Sequence, residues 1–494
     1  MNTLLVLPVI VPIGAAAFIW LFNSRPRIQH ALVLLTVAAT LAVACLILRQ
    51  TAAGDVHSTQ IGHWPAPYGI TFIVDGFSTL MLLISTLIGG MAALFSIGDT
   101  ADRRHAGYFP LFFILLGGVN GAFLTGDLFN LYVWFEVLLM ASFVLMALGG
   151  QRTQIEGAVK YVMLNLAGST LLLAGIGIIY GLTGTLNMAD LAAKLAGVSN
   201  AGRVNAAAML LLAAFCIKSA IFPFFFWLPA SYHTPPPAVA ALFAGLLTKV
   251  GIYALVRMFT LVFVADTAAT FKLLRILAGL TMVSGVLGAL IQKDMRRLFA
   301  FLIVSEIGFV LMGIGFRTER ALTGTIFFLM HMAVVKSTLF LMTGVIEHWK
   351  GTVRLDRLGS LFEDHPAFGY LFLGPVFALA GLPPLSGFWG KYVLVQAGLI
   401  EKYYLLVGVA LAVSLTTLWV VARIWMEAFW RPACAPKRRA DAPLGLLRIG
   451  PIVVLAAVTF LLGLWAEPFH AQALQAAGQL LHPSAYMQAV LGGP

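Results

Sequence analysis

The sequence predicts an all-α integral membrane protein with about fourteen transmembrane helices. Three observations point there. Sixty percent of the 494 residues are hydrophobic, only 10% are charged, and apolar runs of roughly twenty residues recur along nearly the whole chain. Soluble domains carry about 25% charged residues, so a water-soluble catalytic module is excluded, and the mean hydropathy of +0.94 agrees. No compositional break or long linker divides the chain, which reads as one polytopic domain over residues 1–494.

The apolar runs, bounded by charged or Gly/Pro-containing connectors, cover about 3–22, 31–48, 72–97, 107–125, 128–148, 157–181, 206–228, 235–257, 272–291, 296–316, 321–345, 366–399, 403–430 and 447–466. The first, Leu4 to Phe22, has no basic residues before it and no small-residue cleavage site, so it reads as a retained helix. Between Arg49 and Gly69 the pattern changes. Alternation through Gln60–Trp64 and Tyr68–Phe72, around Pro65-Ala66-Pro67, predicts a small external hairpin.

A net charge of +11 would suggest nucleic acid in a soluble protein, but in a membrane protein excess Lys and Arg belongs in cytoplasmic loops. With the N-terminus outside, sixteen of the 31 basic residues fall on inside loops, among them Arg25, Arg103, Arg104, Arg152, Lys293, Arg296, Arg297, Lys350, Lys437, Arg438, Arg439 and Arg448. Both termini are therefore expected outside a bacterial cell membrane. Arg49 and Arg257 read as helix-end anchors able to snorkel to an interface, and Arg423 as an interfacial or packing residue.

No soluble-enzyme site is visible. Cys45, Cys216 and Cys434 lie far apart without CxxC spacing, so neither zinc, an iron–sulfur cluster nor a disulfide framework is suggested. No Walker loop, Rossmann fingerprint or GxSxG occurs. No cofactor, metal or nucleic acid is expected.

An internal repeat is expected instead. Ser142–Gly149 (SFVLMALG) ends the fifth span and Gly308–Gly315 (GFVLMGIG) ends the tenth, five spans apart. An odd number of crossings reverses direction, as inverted repeats require. Spans 4–8 (107–257) and 9–13 (272–430) then form two five-helix units, placing the seventh span opposite the twelfth. Both carry prolines: Lys218-Ser219-Ala220-Ile221-Phe222-Pro223 in one, Gly381-Leu382-Pro383-Pro384-Leu385-Ser386 in the other. Both should be broken helices, since proline removes an amide donor and clashes with the preceding turn, and paired interrupted helices mark transport sites.

Charges at mid-membrane cost about 2.5–3.5 kcal/mol each on insertion scales and are functional by default. Glu136 lies midway along the fifth span, Lys218 precedes the break of the seventh, Lys249 is central in the eighth, His331 and Lys336 share the eleventh, and Lys391 follows the break of the twelfth. They form a row along the chain. A buried lysine loses affinity for its proton by desolvation and regains it from a nearby carboxylate, so a Glu/Lys pair can hold or release a proton; Glu136 with Lys218 is the pair expected here. Secondary candidates are Lys160 and Glu306, read as nearer span ends than centres, and His233 before Pro235-Pro236-Pro237, either a helix-start residue or part of a proton entry path. Asp75 and Asp127 read as helix-start acids favoured by the dipole.

This combination resembles the antiporter-like subunits shared by respiratory complex I, membrane-bound hydrogenases and Mrp-type multisubunit Na+/H+ antiporters. The resemblance covers the whole chain and rests on Glu in the fifth span, Lys before Pro in the seventh, Lys in the eighth, His and Lys in the eleventh, and Pro-Pro-Leu-Ser-Gly-Phe-Trp-Gly-Lys (383–391) in the twelfth. Within that family it looks most like the D-type subunits of Mrp antiporters, through His63–Ile70, the end at Pro494, and lysine rather than glutamate at 391. The resemblance implies a non-enzymatic proton-translocating subunit: Glu136 and Lys218 the coupled pair, Lys249 and His331 the central relay, Lys391 the terminal proton-transfer residue, Lys336 less settled. It further implies other antiporter subunits as partners in the bilayer, with H+ and Na+ (K+ or Li+ as alternatives) as the ions. A pump module of a redox enzyme is the alternative.

Overall fold

The computed structural model describes residues 3–99, 107–195, 197–198, 200–265, 268–432 and 445–492. Arg103, Arg104, Cys434, Lys437, Arg438 and Arg439, used in the charge and cysteine arguments, lie outside these residues. The chain is a multi-pass helical membrane protein, and each apolar run of the sequence falls on helix. In order these are α1 (Leu7–Leu21), α2 (Pro26–Thr51), α3 (Gly76–Gly98), α4 (Tyr108–Leu124), α5 (Leu128–Ala147), α6 (Arg152–Thr183), a short α7 (Met188–Leu195), α8 (Ala201–Lys218) and the stub α9 (Trp227–Ser231). Then follow α10 (Pro237–Val262), α11 (Ala268–Leu290), α12 (Met295–Phe316), α13 (Glu319–Lys350), α14 (Pro366–Ala380), α15 (Ser386–Ile400), α16 (Tyr404–Trp430) and α17 (Leu446–Leu464). Eleven of these are long and apolar enough to cross a membrane; α1, α4 and α14 are shorter apolar helices.

Burial sorts them into two classes. The apolar stretches of α10 and α13 are wholly wrapped by protein and that of α12 is 94% buried, whereas those of α2, α6, α11 and α16 are 33–39% buried. A helix apolar on every side that is wrapped by protein must pack closely on all faces, and one that is half-exposed presents its other face to lipid. The wrapped helices are the ones carrying Lys249, Glu306, His331 and Lys336. The 32 residues of α13 span about 48 Å at 1.5 Å per residue, so this helix forms the central axis, packed against α3, α10, α12 and α15.

The expected hairpin exists, but its strands sit elsewhere. β1 (His57–Gln60) pairs antiparallel with β2 (Thr71–Val74), Gln60 opposite Thr71. Ile61–His63, expected in a strand from alternation, is a tight turn with Gly62 at φ 69°, because Gly62 and the Pro65-Ala66-Pro67 segment cannot extend the ladder. Two C-terminal helices with no counterpart among the apolar runs, α18 (Glu467–Leu481) and α19 (Ser484–Leu491), cover the same face. Gln479 accepts from the Gly76 amide and donates to the Gly54 carbonyl, both at 2.8 Å, and Ser58 donates to the Ala489 carbonyl at 2.6 Å.

Under this face lies an ion pair that charge counting misplaces. Arg257, expected to snorkel, is 5% exposed and grips Asp75 with both arms, at 2.6 and 3.0 Å. Its guanidinium also lies over the rings of Tyr253 and Tyr486. Asp75 does cap α3 through the Ser78 amide, as a helix-start acid should, but its second duty ties α3 to the end of α10. Asp127 caps α5 through the Asn130 amide. On the opposite face Arg296 pairs with Glu347 and Arg448 with Asp99, at 2.7 and 2.8 Å. Arg423 donates to the Leu290 and Gln292 carbonyls, the packing role expected of it, and closes the end of α11.

Breaking one partner of a buried ion pair leaves an uncompensated charge and costs about 3–5 kcal/mol, whereas replacing both partners by apolar residues is often neutral. Asp75→Leu should therefore lower the thermal midpoint of the solubilised protein sharply, and Asp75→Leu with Arg257→Met should recover most of the loss. Equal midpoints for single and double variants would show that the pair is not what ties the face together.

Candidate functional site

Each break is built so that the carbonyls it frees find a donor. In the first, α8 ends at Lys218, the chain turns through Ser219–Phe226, and α9 follows. The indole N–H of Trp227 reaches back to the Ile217 carbonyl at 2.9 Å, and the Phe222 amide donates to Thr281 at 3.1 Å. In the second, α14 ends at Ala380, Gly381 turns the chain at φ 85°, and α15 resumes at Ser386. Here the donor is charged: the Lys391 ammonium binds the Ala380 and Leu379 carbonyls at 3.2 and 3.4 Å, at the negative end of the α14 dipole.

Lys218 is 5% exposed. Its ammonium donates to the Ser169 hydroxyl at 2.9 Å and lies 4.5 Å from the Phe135 ring centroid. Glu136, the neighbour of Phe135, is half-buried and interacts with Lys218 electrostatically. The two expected partners are thus adjacent without direct contact, and Ser169 occupies the lysine. A lone serine in an apolar helix gives no sequence signal for that role.

The second group is tighter, and its centre is a residue that the sequence ranks only as a secondary candidate. Glu306 is mid-helix in α12 and 3% exposed, not near a span end; the span 296–316 already centres it, and that was the available signal. Its carboxylate lies 3.1 Å from the ammonium of Lys336 on α13. Lys249 and Lys391 also act on Glu306 electrostatically. Three lysines from three elements therefore share one carboxylate. The Lys336–Glu306 contact has the distance but not the angle of a hydrogen bond, so both groups keep hydrogen-bonding capacity in hand.

Lys249 owes its position to a backbone irregularity. Residues Phe243–Leu247 of α10 form a π-turn, which turns the Ala244 carbonyl to accept from the Lys249 ammonium; such turns concentrate at functional sites. His331 shares a hydrogen bond of 2.9 Å with Ser386, the first residue of α15, and its ring stacks on Phe328. It feels Lys391, Lys336 and Lys249, while its Nε2 is buried without a hydrogen bond. The row along the chain becomes a pair, Glu136 and Lys218, and a cluster of Lys249, Glu306, His331, Lys336 and Lys391.

Lys160 and His233 stand apart from both. Lys160 is half-exposed and paired with Glu156 one turn away. His233 lies outside the spans, and its Nδ1 is 3.0 Å from the Pro229 carbonyl. A carbonyl only accepts, so Nδ1 carries the proton. Burial pushes this imidazole below its ordinary value and Arg297 and Arg296 add to the effect, while Asp294 and the Pro229 bond oppose it. Among the described residues no group of three or more His, Cys, Asp or Glu side chains could hold a metal ion.

Three buried lysines around one carboxylate, one of them solvated by the carbonyls of a helix break, and a fourth beside the half-buried Glu136 place charge deep inside a membrane fold, where it is costly and functional by default. Residues 125–417 match the family described as NADH:quinone oxidoreductase/Mrp antiporter, TM. The chain belongs to that family. It is 42% identical to the D-type subunit of the Na(+)/H(+) antiporter of Alkalihalophilus pseudofirmus, over 99% of this chain and all of the relative, and 37% identical to its counterpart in Bacillus subtilis over the same shares. Among solved structures, a chain of the Mrp complex from Dietzia sp. DQ12-45-1b superposes with a TM-score of 0.92 at 33% identity, over the full length of both chains. The relatives are transporter subunits of multisubunit assemblies, and the all-α membrane fold read from the sequence is the family fold.

Gly381 tests the second break. A side chain there would adopt a left-handed backbone, at about 1–2 kcal/mol, and its Cβ would lie 3.0 Å from Lys391 Cδ. Gly381→Ala should lower the thermal midpoint, while Gly177→Ala, with nothing within 4 Å, should leave it unchanged or raise it.

Proposed function

We propose that this chain is the proton-translocating D-type subunit of a multisubunit Na+/H+ antiporter, working with partner subunits in the bacterial plasma membrane. The observation that carries this reading is the convergence of Lys249, Lys336 and Lys391 on Glu306, with His331 beside the three lysines, next to the separate Glu136–Lys218 pair.

The physics is that of coupled titration. Adding a proton to one member of a cluster of like-charged bases disfavours the next protonation, and moving a carboxylate closer reverses that. Lys218 can exchange Ser169 for Glu136, and that exchange changes the field at Lys249 across the interface of α8 and α10. With Nδ1 donating to Ser386, His331 Nε2 is free to accept a proton displaced from Lys249, and Lys336 and Lys391 share the same carboxylate. Lys391 leaving the α14 carbonyls would complete the transfer at the second break. Residues 107–257 and 272–430 are the two units of this relay, in inverted orientation, and the hairpin face with both termini is the outer face.

Energy suffices for uphill export. A potential of 100 mV is worth about 2.3 kcal/mol per elementary charge, so more than one proton entering per Na+ leaving drives the exchange. The basic residues of this site suit protons rather than Na+, which crosses elsewhere in the assembly; K+ or Li+ would be distinguished by direct competition.

The test is Na+-induced dissipation of a pH gradient in everted membrane vesicles. Activity should require the intact set of subunits and fall at least tenfold with Glu136→Ala or Glu306→Gln at unchanged complex levels. Full antiport in either assembled variant would remove that residue from the relay. Proton pumping that follows NADH or hydrogen oxidation, without a Na+ response, would place the chain in a redox complex instead.

A further inference from the structure

We propose that the groove between α6, α9 and α12 binds an anionic phospholipid of the inner leaflet. The cavity holds about 710 Å³ and opens on the outside of the helix bundle. Its walls are apolar, with Met163 and Phe226 68% and 60% exposed and Phe225 and Phe301 beside them. Two cations line it, Lys160 and Arg297.

The order of these groups along the helices identifies the occupant. Helices α6 and α12 both start on the face that carries His233 and the Arg296–Glu347 pair. On α12, Arg297 lies near the start and Phe301 one turn deeper; on α6, Lys160 precedes Met163 and Leu164 by three and four residues, on the same side of the helix. Two independent elements thus place a cation toward the membrane surface and an apolar wall below it, at a rise of about 6 Å. A headgroup phosphate over an acyl chain has this polarity. Free phosphate would leave the apolar depth unfilled, and a zwitterionic lipid would gain little from two cations.

The cations are unequal. Lys160 is paired with Glu156, which competes with any phosphate, whereas Arg297 makes no side-chain hydrogen bond or ion pair among the described residues. Arg297 is therefore the main anchor. The groove also touches the transport machinery: Trp227, in its floor, donates to the Ile217 carbonyl next to Lys218. A chain lying against Phe225 and Phe226 would close the first helix break against the hydrocarbon.

The experiment uses the assembled, purified complex in vesicles of phosphatidylcholine with phosphatidylglycerol bearing a photoreactive acyl chain, followed by mapping of labelled peptides. Labelling of the segments around Met163, Phe226 and Phe301 is expected. Arg297→Gln should reduce it about fivefold, the worth of one basic side chain near an anionic surface, and Glu156→Gln should raise it by freeing Lys160. Both substituted positions are exposed, so complex levels should hold. The proposal is overturned if labelling is unaffected by either substitution, if photoreactive phosphatidylcholine labels the groove equally, or if a photoreactive residue at 226 captures a helix of another protein in the assembly.

Discussion

An ammonium that cannot reach water must be solvated by the protein, and this requirement organises the interior. Each buried lysine of the site has a named solution: Lys218 on a serine hydroxyl, Lys249 on a carbonyl turned out by a π-turn, Lys336 on a carboxylate, Lys391 on carbonyls left by a broken helix. None of these is a tight, fully satisfied ion pair of the Asp75–Arg257 kind. Partial solvation makes the charged state tolerable without making it permanent, as the proposed relay requires.

The two buried ion pairs differ in how firmly they hold charge. Asp75 and Arg257 are bidentate, flanked by two tyrosine rings, and join α3 to α10 beneath the C-terminal helices; such geometry holds charge in place. Glu306 and Lys336 meet without hydrogen-bond alignment, and Glu306 is shared with Lys249 and Lys391. One carboxylate among three ammoniums is under-neutralised in any single arrangement, so the balance shifts with every change in proton load.

The helix breaks supply carbonyls for buried donors. A continuous helix uses all its carbonyls internally and has none to offer an ammonium; an interrupted one exposes them at membrane depth, where they must be used. At the first break they are taken by the Trp227 indole, a permanent donor, and at the second by Lys391, a titratable one. The same backbone device thus carries a neutral donor at the first break and a charged one at the second.

Sequence alone determined the membrane class, the position of every long helix, both breaks and which ionisable residues lie within the apolar spans, because each is written in local composition: hydropathy, proline, and ionisable residues where none belongs. It also overlooked α18 and α19, shifted the hairpin strands toward a turn, sent Arg257 to the surface, and left Glu306 as a secondary candidate. Those depended on which helices face one another. Whether a mid-span acid is a packing residue or the shared counter-charge of three lysines is decided by distances between elements far apart in the chain, and a one-dimensional pattern carries no term for them. Only the tertiary structure placed Glu306 beside Lys336 and gave Lys218 to Ser169, since the cost of burying charge falls on whatever partner the packing brings within reach.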